Sequence, residues 1–313
     1  MDALEANCGV IPTDEDLAQA HARLRGRVRR TPILHVDGRD VGADGALTLK
    51  LEQLQHTGSF KARGALNAVL TMPGAATSVT AASGGNHAVA VAWAARRAGV
   101  HATIFVPSFS PQVKQDAIRR HGADLHLVDG FYADALDASQ RYAADHDAVH
   151  IDAYDQVATV AGQSTVGAEL ADQIPPGDVV IVSCGGGGLF AGVCLALRGR
   201  NTVLAAEPET APSLAAAIAA GRPVDIDIDR TGVAVDSLGA RRAGAIATAV
   251  ALDQRSRVLL APDRAIRHAQ HQLWDSLRLA VEPGGATALA AALQHARDLS
   301  GHGVTVLISG ANA

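Results

Sequence analysis

The chain has 313 residues, 48% hydrophobic and 19% charged, a globular composition that excludes an intrinsically disordered chain. Its formal net charge of −5 argues against a nucleic-acid or anionic-membrane binder. Cys8, Cys184 and Cys194 are the only cysteines; their sparse count, with no CxxC spacing, excludes a disulfide framework and a cysteine zinc site.

The N-terminus, MDALEANCGVIPTDED, has no basic region and no long apolar run, so it does not read as a signal peptide, and the cytoplasm is the expected compartment. Thr13, with Asp16 three residues on, predicts a capped helix start. That helix is expected to run to about residue 29, where Thr31-Pro32 ends it. Around Lys50 the leucines alternate, which places Lys50 on the opposite face from Leu49 and Leu51 and predicts a solvated amine.

From about residue 76, short β runs alternate with Ala-rich amphipathic runs. Strands are expected at 77–81, 101–106, 124–128, 148–151, 178–183, 202–207, 257–260 and 304–308. Helices are expected at 86–98, 111–121, 133–145, 159–172, 189–197 and 263–277. The alternation argues for an α/β fold with a mainly parallel sheet, and eight or more strands fit two doubly wound open-sheet domains better than one. A closed eightfold barrel is the rival, but residues 1–76 lack its regular rhythm. The uncharged stretch 179–197 carries four consecutive glycines, so it reads as strand, loop and helix rather than a membrane span. The alternating aspartates of 224–229 read as a solvated edge strand or loop, not a calcium site.

Only three of the 27 basic residues are lysines: Lys50, Lys61 and Lys114. Chemistry that needs a deprotonated amine therefore has three candidates, because Arg cannot supply one. Lys114 lies in a polar helical run and is expected at the surface. Lys61 sits in Gly58-Ser59-Phe60-Lys61-Ala62-Arg63-Gly64, among small residues, an aromatic ring and a neighbouring cation, Arg63. Apolar surroundings and Arg63 would favour the neutral amine, which attacks carbonyls; the plain alternative is a solvated basic residue at a helix start.

Two loops complete the pattern. Gly185, Gly186, Gly187 and Gly188 follow one expected strand and open a helix, the arrangement of a phosphate cradle or of a tight turn. No Lys-Ser/Thr follows, which excludes a P-loop. Gly186, Gly188 and Ala191 with Glu207 also fit a dinucleotide fingerprint, which keeps a nicotinamide dehydrogenase as an alternative. The segment Ser83-Gly84-Gly85-Asn86-His87 ends another strand and opens a helix, which suits a carboxylate or an ordinary N-cap. A phosphate site, a carboxylate site and one activated lysine together point to pyridoxal phosphate acting on an amino acid.

With these motifs in order, the sequence resembles the serine/threonine dehydratase and serine racemase family of pyridoxal-phosphate enzymes, with the tryptophan-synthase β-like fold (fold type II). The matching pieces are Thr31-Pro32, residues 49–64, residues 83–88, the glycine loop, residues 205–208, Val281-Glu282-Pro283 and Ser309-Gly310-Ala311-Asn312. The resemblance implies a large domain of residues 1–71 and 151–313, a small mobile domain of 72–150, and a homodimer. It implies that Lys61 carries the cofactor aldehyde and moves the Cα proton, and that Phe60 packs beside the cofactor ring. Asn86 would bond the 3′ oxygen, Gly185 to Gly188 would cradle the phosphate, and Ser309 would meet the pyridine nitrogen. Ser83, Gly84, Asn86 and His87 would form the substrate site, with Ser83 also catalytic. A neutral hydroxyl at Ser309 would leave the ring largely unprotonated, which suits β-elimination.

Departures shape the expected activity. Racemases of the family carry a second Ser where this chain has Gly84, and racemisation needs a base on each face. Elimination on threonine or serine is therefore expected ahead of racemisation, while 3-hydroxyaspartate or a β-aryl serine stays open. In the family's metal segment Glu207 matches, but Ser213 stands at the Asp position, so no metal is expected. His268 and His271 lie three apart on one expected helix without a third ligand nearby. The sequence ends one residue after Asn312, and no C-terminal regulatory domain is expected.

Overall fold

The computed structural model describes residues 10–74 and 76–312; Cys8 lies outside the described residues. The chain begins with α1 (Asp14–Leu24), β1 (Ile33–Val36), β2 (Leu47–Leu51), α2 (Lys61–Leu70), β3 (Ser78–Ala82) and α3 (Asn86–Ala98). Next come β4 (His101–Pro107), α4 (Gln112–Arg119), β5 (Asp124–Val128), α5 (Tyr132–Asp145) and β6 (Val149–His150). It continues with α6 (Val157–Gln173), β7 (Val179–Ser183), α7 (Gly188–Leu197), β8 (Thr202–Pro208), α8 (Ser213–Ala220) and α9 (Val235–Leu238). The last elements are α10 (Ala245–Asp253), β9 (Val258–Ala261), α11 (Asp263–Leu277), α12 (Pro283–Gln294) and β10 (Val304–Ile308).

The strands form two sheets, as expected for the two-sheet α/β class. One has the order β1-β2-β10-β7-β8-β9 and is parallel except where β1 meets β2; the other is parallel with the order β5-β4-β3-β6. All eight expected strands are present within about two residues at each end. Two strands lie outside that set: β1, a four-residue antiparallel edge strand too short to show a period, and β2, which showed only as the alternation around Lys50. The Thr13–Asp16 capping box forms, but α1 stops at Leu24 rather than near residue 29. Arg25 leaves the helical region and Gly26, at φ +71°, turns the chain there.

The central strands β7 and β10 are buried throughout, because helices cover both faces of the large sheet. On one of those faces α2, α6 and α7 pack at glycine-lined contacts. A Cβ on Gly64 would lie 2.8 Å from the Thr159 carbonyl, and one on Gly162 would lie 2.7 Å from the Gly64 Cα. Small residues there let the backbone carrying Lys61 sit against α6.

Burial on both faces also corrects the expectation for Lys50. The side chain of Lys50 leaves β2 toward α6, whose Glu169 and Gln173 cover it, and Lys50 is fully buried. Its Nζ donates to Glu169 Oε2 at 2.6 Å, to the Thr31 carbonyl at 2.9 Å and to Gln173 Oε1 at 2.8 Å. Arg63 shares Glu169 and also donates to both oxygens of Glu52, at 2.8 and 2.7 Å. Burial opposes these charges, yet Glu52 and Glu169 hold Arg63 above its ordinary range, while Arg63 and Lys50 hold Glu52 below its own. No helix among the described residues is long and apolar enough to cross a membrane.

Candidate active site

The predicted site residues converge because they all follow the C-terminal ends of parallel strands, where open α/β sheets form their crevices. Pairing of β10 with both β2 and β7 sets Ser309 beside the segments that follow Leu51 and Ser183. The chain from β2 then returns to it: Phe60 N–H donates to the Ser309 carbonyl at 3.1 Å, and Ala311 N–H donates to the Gly58 carbonyl at 3.0 Å. These contacts fix the start of α2, whose first residue is Lys61.

Lys61 is half-buried, and its Nζ donates to the Ala153 carbonyl at 2.6 Å. Burial pushes the amine down to about 8, against the pull of Asp152 and Glu282. The Phe60 ring lies beneath it, 5.2 Å from Nζ to centroid. The expected contribution of Arg63 is absent: its charge is engaged by Glu52 and Glu169, and burial is the cause of the shift.

The glycine loop forms a cradle. Gly187 has φ +92°, a left-handed conformation that favours glycine, and α7 starts at the next residue. A Cβ on Gly185 would lie 2.9 Å from Leu238 Cα, and one on Gly188 would lie 2.6 Å from the Tyr154 carbonyl. Among the described residues, none of the amides of Gly185 to Gly188 has a protein acceptor. Unpaired amides at a helix N-terminus bind an anion, so the loop fits a phosphate. Ser309 closes the other side, nearly buried, its hydroxyl without a protein partner among the described residues. Cys184 is buried beside the loop, and burial raises its thiol well above the ordinary range, as a small hydrophobe requires.

The third segment opens α3. Ser83 Oγ accepts the Gly85 N–H at 3.1 Å. Asn86 Nδ2 donates to Glu282 Oε1 at 2.6 Å, and its Oδ1 accepts from Asn312 Nδ2 at 2.8 Å. His87 is nearly buried, its Nε2 2.9 Å from the Ile151 carbonyl. Burial, helped by Lys61, pushes its imidazole down to about 3, so it is neutral and donates from Nε2. The structure thus brings Asn86 together with Glu282 and Asn312, while Ser83 bonds within its own loop and the His87 Nε2 is engaged by the Ile151 carbonyl.

A family profile described as pyridoxal-phosphate dependent enzyme matches residues 24–310. The chain belongs to the pyridoxal-phosphate dependent enzyme family. This pyridoxal-phosphate dependent enzyme is 32% identical to a β-hydroxyaspartate dehydratase of Paracoccus denitrificans (strain Pd 1222), over 96% of each chain. It superposes on a T.th. threonine deaminase with a TM-score of 0.90 at 32% identity, covering 96% of this chain and 99% of that one. Against maize serine racemase the TM-score is 0.89 at 32% identity, covering 97% and 94%.

Cofactor and donors fit each other in this pyridoxal-phosphate dependent enzyme: a lysine, a loop of unpaired amides and a hydroxyl stand in the segments that follow the paired strands β2, β7 and β10. The dinucleotide alternative loses its acidic residue. Glu207 is buried and accepts the N–H groups of Leu214 at 2.8 Å and Ala215 at 2.9 Å, capping α8 rather than facing a ribose. Burial pushes its carboxyl up to about 7, against those two amides. Ser213 Oγ donates to the Gly185 carbonyl at 3.2 Å, tying that cap to the cradle. No group of three or more His, Cys, Asp or Glu among the described residues could hold a metal ion; His268 and His271 are exposed on α11.

Sequence reasoning gave no role to four charged residues of the cleft. Burial pushes Glu282 up to about 7, against its bond from Asn86. Asp152 accepts the N–H groups of Tyr154 and Asp155 and turns the chain beside Lys61. Lys114, expected at the surface, is largely buried and pairs with Asp236 of α9. Glu282 could have been singled out by its Glu-Pro helix start; nothing in the local sequence pairs Lys114 with a residue 122 positions away.

Proposed function

We propose that this enzyme is a dehydratase, an ammonia-lyase that converts a β-hydroxy-α-amino acid to a 2-oxo acid and ammonia by α,β-elimination. Threonine and serine are the default substrates. The observation that carries the reading is Lys61: an amine held near 8 by burial and bonded to the carbonyl of Ala153, whose neighbour Tyr154 lies against Gly186 and Gly188 of the cradle. An amine poised there exchanges a proton near neutral pH.

Pyridoxal phosphate, when bound, supplies the electron sink that makes the substrate Cα–H acidic. Lys61 Nζ takes that proton. The amides of Gly185 to Gly188 would hold the phosphate, Ser309 Oγ would meet the pyridine nitrogen, and the Phe60 ring would flank the cofactor. Ser83 Oγ and the amides at the start of α3 hold the substrate carboxylate. Asn86, oriented by Glu282 and Asn312, would bond the cofactor's 3′ oxygen with its remaining Nδ2 proton. Loss of the β-hydroxyl, protonated to water, leaves an enamine that tautomerises to an imine, and water hydrolyses the imine to the 2-oxo acid and ammonia. Residues 72–150 act as the small domain and close over the substrate, with the Lys114–Asp236 and Asn86–Glu282 contacts joining the two parts in the closed arrangement. A cytoplasmic homodimer completes the reading.

The test is product analysis with L-threonine and L-serine. Wild-type protein releases 2-oxo acid and ammonia in equal amounts, Lys61→Ala releases neither, and unreacted substrate keeps its configuration. Epimerised substrate without oxo acid overturns the dehydratase reading and makes the protein a racemase.

A further inference from the structure

Gly84 leaves the wall of the cleft without a side chain, and another element fills the gap. A Cβ built on Gly84 would lie 2.6 Å from Ser110 Oγ, 3.4 Å from Ser110 Cβ and 3.6 Å from Val106 Cγ1. The nearest atom is a hydroxyl oxygen, so the space beside Gly84 is polar. Ser110 is held from both sides of its backbone: its N–H donates to the Pro107 carbonyl at 2.9 Å, and its carbonyl accepts Gln115 Nε2 at 2.9 Å. Only 9% of the residue is exposed. Its Oγ has no hydrogen-bond partner among the described residues.

The surroundings place this hydroxyl beside the N-terminus of α3. The loop after β4 that carries Ser110 leads into α4, whose Lys114 pairs with Asp236. A Cβ on Gly85, next to Gly84, would lie 3.9 Å from the Asp236 carbonyl. Ser110 thus stands beside the N-terminus of α3, on the loop whose following helix α4 is tied to α9.

We propose that Ser110 is a substrate-binding residue whose Oγ donates a hydrogen bond to the amino-acid carboxylate, from the space that a side chain at position 84 would occupy. The proposal rests on the reading of Ser83–His87 as the carboxylate site. Two observations favour binding over proton transfer. A nearly buried hydroxyl lacking a protein partner loses little by donating to an anion. A hydroxyl that shuttled a proton would need a base bonded to it, and Ser110 Oγ has none among the described residues.

The experiment uses L-alanine, which carries the carboxylate but no leaving group, titrated into holoenzyme and followed by cofactor absorbance. Ser110→Ala is expected to weaken L-alanine about five- to tenfold, the effect of losing one hydrogen bond to a charged group. Gly84→Ser with Ser110 retained is expected to crowd the 2.6 Å contact and lower Tm by about 2–4 °C. The double variant Gly84→Ser/Ser110→Ala returns a hydroxyl to the same space and recovers both Tm and affinity to within twofold of wild type. L-alanine affinity of Ser110→Ala within twofold of wild type would reduce Ser110 to a filler and overturn the proposal. A double variant with no recovery overturns the shared space. Failure of the dehydratase reading shows separately, as wild-type protein that binds L-alanine yet forms no 2-oxo acid from threonine or serine.

Discussion

Lys50 and Lys61 are eleven positions apart and both leave bulk water, yet they do opposite things. Lys50 has three oxygen partners, one of them the carboxylate of Glu169, and joins Arg63, Glu52 and Glu169 in a set of two positive and two negative side chains. Lys61 has one partner, the uncharged carbonyl of Ala153, with carboxylates near but not bonded to it. Burial lowers both amines; at Lys50 Glu169 and Glu52 oppose it closely, and at Lys61 Asp152 and Glu282 oppose it from farther off. Burial alone therefore does not mark the reactive amine. A buried lysine that lacks a bonded carboxylate does.

Breaking the paired site should cost the most stability. Glu169→Ala leaves Lys50 and Arg63 sharing one remaining carboxylate in the interior, and we expect a loss of about 3–5 kcal/mol, read from the denaturant midpoint of the holoenzyme. A loss under about 1 kcal/mol would mean that water reaches these charges and that the contrast between the two lysines fails.

At the unpaired site the sign reverses. Lys61 ordinarily titrates near 10.5 and is held near 8 in the fold, so at pH 7 the folded apoprotein carries a charge that its surroundings disfavour. Lys61→Met should stabilise the apoprotein by about 1–3 kcal/mol at pH 7 while abolishing turnover. Between about pH 8 and 10.5 the unfolded chain binds more protons at this residue, so wild-type stability rises with pH and the advantage of Met disappears. Urea titrations across that range read both effects. A Met variant no more stable than wild type at pH 7 would place Lys61 in a solvated setting.

Glu282→Gln sharpens the same contrast by a smaller amount. The amide oxygen can still accept from Asn86, but the charge that raises the Lys61 pKa is gone. The rate at which apoprotein takes up pyridoxal phosphate follows the neutral amine, and its pH midpoint should fall below 8 by about half a pH unit. An unchanged midpoint would remove Glu282 from the environment of Lys61.

Much of this was legible in the chain itself. Hydrophobic runs of five to seven residues set the central strands, and glycine-rich turns after two of them marked the cradle and the carboxylate site, because close backbone approach needs glycine wherever it occurs. The four-residue β1 was too short to show a pattern, and the end of α1 depended on a turn at Gly26 that no apolar period announces. Lys50 was misread because alternation reveals two faces of a strand and not what covers them; α6 covers the Lys50 side chain and supplies Glu169 from 119 residues away.

By itself the sequence determined the α/β class, the order of the elements and the residue types needed for a lysine, a phosphate and a carboxylate to meet, since those follow from local periodicity and local backbone geometry. Only the tertiary structure decided which lysine is neutralised by bonded carboxylates and which is left to titrate. It alone set Ser110 against Gly84 and Lys114 against Asp236, because charge balance and excluded volume depend on groups that the chain brings together from far apart.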